Sequence, residues 1–103
     1  MTIELMPEQR QIRIEGLVVN DLDKVEYHLF AYLYQHRSQS VSRPELIREM
    51  IDVEVDRHHF SPRPEQRLDA YMAEMKRKID TAQQTYIIHE PDGSYRLIGP
   101  DGK

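Results

Sequence analysis

Between residues 57 and 80 the chain sets cations at short intervals: Arg57, Arg63, Arg67, Lys76, Arg77 and Lys78, with Tyr71 among them. These groups suit phosphate, which guanidinium meets as a planar fork and ammonium as a point charge. An exposed tyrosine beside them could touch a thymine methyl or a phosphate. It could equally be an edge residue packed partly on a core. Residues 57–80 hold six Lys/Arg against four Asp/Glu, whereas the rest of the 103 residues hold eight against fourteen. The formal charge of −4 therefore averages two unlike parts. Charge alone would also fit a solvated amphipathic face with i,i+4 pairs.

Other chemistries find less material. His28, His36, His58, His59 and His89 include no i,i+4 pair, and no cysteine completes a zinc set. No metal or cofactor is expected. Gly16, Gly93, Gly99 and Gly102 form no phosphate-cradling loop, and no nucleophile–base–orienter series is recognisable. The chain does not read as an enzyme, and no catalytic residue is assigned. No run approaches the roughly 18 apolar residues of a membrane span. The opening MTIELMPEQRQ lacks the apolar core of a signal peptide. We expect a cytoplasmic protein. Hydrophobic residues at 39% and charged residues at 31% suit a small domain with much surface.

The elements that must position the cations follow from periodicity. Ile3 and Leu5, then Ile12 and Ile14, alternate with polar residues as half-buried strands do. Leu17–Val19 continues them after a turn at Gly16. Val25, Leu29, Phe30 and Leu33 then mark one helix face, predicting a helix over about 24–36 with Asp23 and Glu26 at capping spacing. A turn is expected near 37–40. Ser42 and Glu45 have the spacing of a reciprocal capping box, with Pro44 tolerated in the first turn, for a helix over about 43–51. Residues 52–62 read as a long loop. Leu68, Met72, Met75 and Ile79 predict a third helix over about 63–80. Two β-rich runs around Asp92-Gly93 predict a hairpin over 86–98. Residues 99–103 offer no apolar anchor and should fray. The expected architecture is α+β: short antiparallel N-terminal strands, three helices and a C-terminal β-hairpin, the layout of a winged helix-turn-helix. We expect one domain over 1–103 with its core at about 12–98.

The stretch LDKVEYHLFAYLYQHRSQSVSRPELIREMI resembles the OmpR/PhoB-type winged-helix effector domain. Leu22, Glu26, Tyr27, Leu29, Phe30, Leu33, Val41, Ser42, Arg43, Glu45 and Leu46 stand where that pattern expects them. Leu68-Asp69, Met72, Met75, Lys76, Lys78 and Ile79 look like its third helix. Ile87 and Tyr95-Arg96-Leu97 look like its closing hairpin. The resemblance implies a transcriptional regulator domain that binds double-stranded DNA. The third helix would enter the major groove, and the hairpin would lie on the backbone or in the minor groove. It points to Arg43, Arg63, Arg67, Tyr71, Lys76, Arg77 and Arg96 as DNA contacts. Such domains are usually attached to a regulatory domain, which this length cannot also hold; the expectation is a stand-alone or an excised effector.

The sequence departs from the pattern in several places. Glu74 occupies a position usually basic or polar, with Ala70 and Ala73 beside it, and Gln66 replaces a frequent Arg. Pro91 stands where Arg is common in the wing, between Glu90 and Asp92. The 52–62 loop is longer than usual; in relatives this loop can contact RNA polymerase. These departures keep a second reading open, a winged helix that has exchanged DNA for a protein partner. RNA polymerase or a second copy would then dock through loop 52–62, using Val53, Val55 and Phe60.

Overall fold

A computed structural model describes residues 3–14, 16–37, 39–54, 63–80 and 85–98. The chain opens with three short strands, β1 (Ile3–Met6), β2 (Gln11–Ile14) and β3 (Leu17–Val19), forming an antiparallel sheet in that order. Ile3 faces Ile14 and Ile12 faces Val19, so one side of the sheet is apolar and buried. Ile3 is thereby part of the core cluster.

Helix α1 (Lys24–Gln35) starts with a complete capping box. Asp23 accepts from the Glu26 amide at 2.8 Å, and Glu26 accepts from the Asp23 amide at 3.1 Å. Helix α2 (Arg43–Val53) has only half of the box expected there: Ser42 Oγ accepts from the Glu45 amide, and no reciprocal bond closes it. The Glu45 carboxylate takes the Tyr32 hydroxyl of α1 instead, so a tertiary partner outcompetes the local one. Helix α3 (Pro64–Ile79) begins with Pro64, whose missing N–H costs nothing in a first turn. Three basic residues, Lys76, Arg77 and Lys78, lie in its last turn, where the helix dipole favours cations.

Two further expectations are corrected. Ser40 does not belong to a turn: Ser40–Val41 forms β4, which pairs with β6 (Tyr95–Leu97). The 52–62 loop starts later, because α2 continues through Val53 and Glu54 caps it. Val53 packs partly buried on the core, which removes it from any partner-binding strand. Val55, His58, His59, Phe60 and the tail 99–103 lie outside the described residues.

The closing hairpin joins β5 (Ile87–His89) to β6, giving a second sheet in the order β4-β6-β5. Its turn is built locally. Asp92 accepts from both the amide and the hydroxyl of Ser94, at 2.9 and 2.6 Å, and these bonds hold its carboxyl below the usual range. Gly93 sits at φ +94°, in the left-handed region that side chains disfavour.

The helices enclose a core of Val25, Leu29, Phe30 and Leu33 from α1, Leu46 and Met50 from α2, and Leu68, Met72, Met75 and Ile79 from α3. Tyr86, Ile87, Tyr95 and Leu97 close it from the wing side. Burying each such large side chain contributes about 1.5–3 kcal/mol. These contacts set how α3 is presented. Among the described residues, no helix is long and apolar enough to cross a membrane.

Candidate nucleic-acid interface

Helix α3 turns about 100° per residue, so its buried row Leu68, Met72, Met75 and Ile79 defines the opposite face. That face is Gln66, Ala70, Ala73, Glu74 and Arg77, all exposed. Arg77 lies near its centre line. Sequence reading named these residues singly and did not assemble them; the same helical count, taken outward from the core row, would have done so.

On the exposed face the guanidinium of Arg77 donates to both oxygens of Glu74, Nε to Oε1 at 2.7 Å and NH2 to Oε2 at 3.2 Å. This fork holds the Glu74 carboxyl below its usual range and raises Arg77. Both side chains remain more than half exposed. Arg63, the residue preceding the helix, is exposed and makes no side-chain cap bond.

Both flanks are tied inward. Toward α1 and α2, Arg67 donates through Nε and NH2 to Glu54 Oε1 at 3.3 and 3.1 Å, and Tyr71 donates to Glu54 Oε2 at 2.8 Å. Glu54 is buried, so the carboxylate at the α2 cap draws both side chains against the core. Two turns further, Lys78 Nζ donates to Glu26 Oε1 and to the Asp21 carbonyl, each at 2.8 Å. Burial opposes the Lys78 charge, but the Glu26 bond together with the charges of Glu26, Asp21 and Glu74 outweighs it and raises the pKa. The α1 capping box, Lys78 and the end of α3 are thereby one network.

Toward the wing, Arg43 NH2 donates to Asp69 Oδ2 at 2.6 Å and to the Glu65 carbonyl at 3.4 Å. Its stem passes under the wing turn, so close that a Cβ on Gly93 would stand 2.8 Å from Arg43 Cδ. Tyr95 donates to the other Asp69 oxygen at 3.2 Å, and burial, with the Asp69 charge, pushes the phenol up to about 12. Lys76 Nζ reaches Asp80 at 2.5 Å and the Ile87 carbonyl at 2.9 Å. Asp80 also accepts the Tyr86 and Ile87 amides, fixing the start of β5 to the end of α3. Arg96 on β6 pairs with Glu90 at 3.4 Å.

The seven residues singled out from sequence thus fall into two groups. Arg63 and Arg77 stand at the outer side of α3. Arg43, Arg67, Tyr71 and Lys76 tie α3, α2 and the wing together, Arg96 pairs within the wing, and all five have carboxylate partners. Beside the outer face lie two clefts. One, of about 420 Å³, runs between Asp23, Arg67, Tyr71 and Lys78; the other, of about 330 Å³, runs between Asp69, Ala73, Lys76 and His89. Among the described residues, no group of three His, Asp or Glu is placed to hold a metal ion.

No family model and no curated protein sequence matches the chain. Solved structures do match. The DNA-binding domain of CpxR from E. coli is 22% identical, with a TM-score of 0.66, covering 93% of this chain and 89% of that one. The DNA-binding domain of the response regulator AdeR, in complex with an intercistronic region, is 17% identical over 97% of both chains, with a TM-score of 0.71. The Klebsiella pneumoniae RstA DNA-binding domain, in complex with the RstA box, is 20% identical over 94% of this chain and 91% of that one, with a TM-score of 0.68. At these identities the likeness is one of fold.

Proposed function

We propose that this winged-helix chain is the DNA-binding domain of a transcriptional regulator, with α3 in the major groove and the β5–β6 hairpin on the backbone or in the minor groove. The supporting observation is the outer face of α3: five exposed residues, two of them alanines, beside a hairpin braced through Arg43, Lys76 and Asp80. The AdeR and RstA domains that share this fold are in complex with DNA. A helix is narrow enough for the groove, and small outer residues let its backbone approach base edges. Arg63 is the first phosphate contact, and Arg77 stands on the face that meets base edges. Arg43, Arg67 and Lys76 hold α3 against α2 and the wing, and Arg96 pairs within the wing, so each of the four meets phosphate with its charge already balanced by a carboxylate.

The test is duplex binding from a random-sequence pool across a salt series. Log affinity should fall with log salt by about 0.9 for each phosphate neutralised. With the flanking cations already paired, the slope should be shallow for a DNA-binding domain. Absence of any shift at low salt overturns the reading.

One observation favours a protein-interaction winged helix instead: most α3 cations are neutralised within the chain. On that reading RNA polymerase or a second copy docks through the loop after α2. Deleting residues 55–60 should abolish association and leave the fold intact. The deletion must spare Glu54, which holds Arg67 and Tyr71. A monomer that captures no partner with the loop present excludes this version.

A further inference from the structure

We infer that Glu74 and Arg77 are the base-reading pair of α3, Arg77 donating to a guanine edge and Glu74 accepting from the N4 amine of a neighbouring cytosine. The inference rests on the DNA-binding reading and specifies which bases that reading requires. Arg77 lies at the middle of the outer face, and on its N-terminal side that face presents, besides Glu74, the methyls of Ala70 and Ala73. The two alanines let this part of the helix approach the floor of a groove, where Glu74 and Arg77 are the side chains that reach base edges. The same methyls fit thymine C5-methyl groups.

The fork is prepared for such an exchange. Glu74 holds the guanidinium with two bonds, at 2.7 and 3.2 Å, so its donors are already oriented as a pair. An exposed ion pair of this kind holds together by no more than about fivefold. A guanine presents two acceptors, O6 and N7, to the same two donors and can displace the carboxylate. Glu74 is then left facing a polyanion. Its ionised form is already favoured in the free protein by the Arg77 bond. The carboxylate needs a donor, and in the major groove the cytosine amine is the base group with which Glu pairs best. Where the duplex offers none, the carboxylate is repelled and binding fails. Glu74 accordingly acts as a filter: it lowers affinity for DNA in general and admits sites with cytosine at one position.

The experiment is selection from a random duplex pool with the unaltered chain, Glu74→Ala and Arg77→Ala. Affinities are then measured for the selected duplex, for its single-base variants and for mixed-sequence DNA. The unaltered chain should select a site containing a C·G pair whose replacement weakens binding about 5- to 100-fold. Glu74→Ala should lose that discrimination and bind mixed-sequence duplex about two- to fivefold more tightly. Arg77→Ala should lose the guanine preference. Retained cytosine discrimination in Glu74→Ala, or unchanged affinity for mixed-sequence DNA, overturns the inference while leaving DNA binding standing. If none of the three proteins shifts any duplex at low salt, the DNA-binding reading itself falls and this inference falls with it. Both side chains are exposed, so circular dichroism should show the same fold in all three.

Discussion

Arg67–Glu54 and Arg77–Glu74 join the same two residue types, start from the same helix and have similar lengths. They differ in where they lie. The side chains of the first pair are 16% and 4% exposed, those of the second 66% and 51%. At the inner flank each charge has left water, and the partner is what makes that tolerable. At the outer face water solvates both charges whether or not they meet. The first pair therefore belongs to the fold, and the second is free to be exchanged for a ligand. Cations on α3 cannot be counted together as a DNA-binding patch; burial sorts them by what each has to give up.

The sharpest way to break this comparison is to remove one partner from each inner pair. Glu54→Ala and Glu26→Ala should each destabilise the chain by about 3–5 kcal/mol in urea denaturation, because Arg67 or Lys78 is left charged and partly buried. Glu26→Ala loses the α1 capping box as well. Replacing Glu54 and Arg67 together by Leu and Met should recover most of the loss. A cost below about 1 kcal/mol for either single variant would place the inner pairs in the same class as the outer one.

The wing offers an intermediate case. Gly93→Ala must place a Cβ at positive φ and against Arg43 Cδ, and should cost about 1–3 kcal/mol. Arg43→Ala in the same chain removes the collision but not the backbone strain, so the two effects should not add. Tyr95 gives a pH-dependent counterpart. Its folded-state pKa is raised, so its contribution is complete below the ordinary value near 10 and is lost as pH rises from there through about 12. Tyr95→Phe should flatten that alkaline limb of the stability profile, measured by denaturation at each pH. The smallest expected effect is at the outer face. Arg77→Ala should change stability by less than about 0.5 kcal/mol, while Arg63→Ala, at the phosphate contact, should reduce the salt slope of duplex binding by about one.

Much of this molecule can be read without coordinates. The rows Val25–Leu33, Leu46–Met50 and Leu68–Ile79 repeat at helical spacing, and the alternation around Ile12 and Ile14 repeats at strand spacing. Those periods follow from backbone geometry alone. The wing turn was legible for the same reason, since Asp92-Gly93 is a local signal. What escaped was short or cooperative. Ser40–Val41 is too brief to show a period, and it is a strand only because β6 lies beside it. Ser42 and Glu45 have the spacing of a capping box, yet Glu45 is taken by Tyr32 from another helix.

Residue order by itself determined the helices, the hairpin, the apolar rows and the concentration of positive charge in residues 57–80. It could not say which charges were available. Lys78 meets Glu26 across 52 residues, and Arg43 meets Asp69 across 26. Such partners come from other elements, brought near by the burial of apolar rows that contain no charge at all. Because the energy of a charge depends on its solvent and its nearest counter-charge, only the packed structure could separate the cations that hold α3 in place from Arg63 and Arg77, which it presents outward.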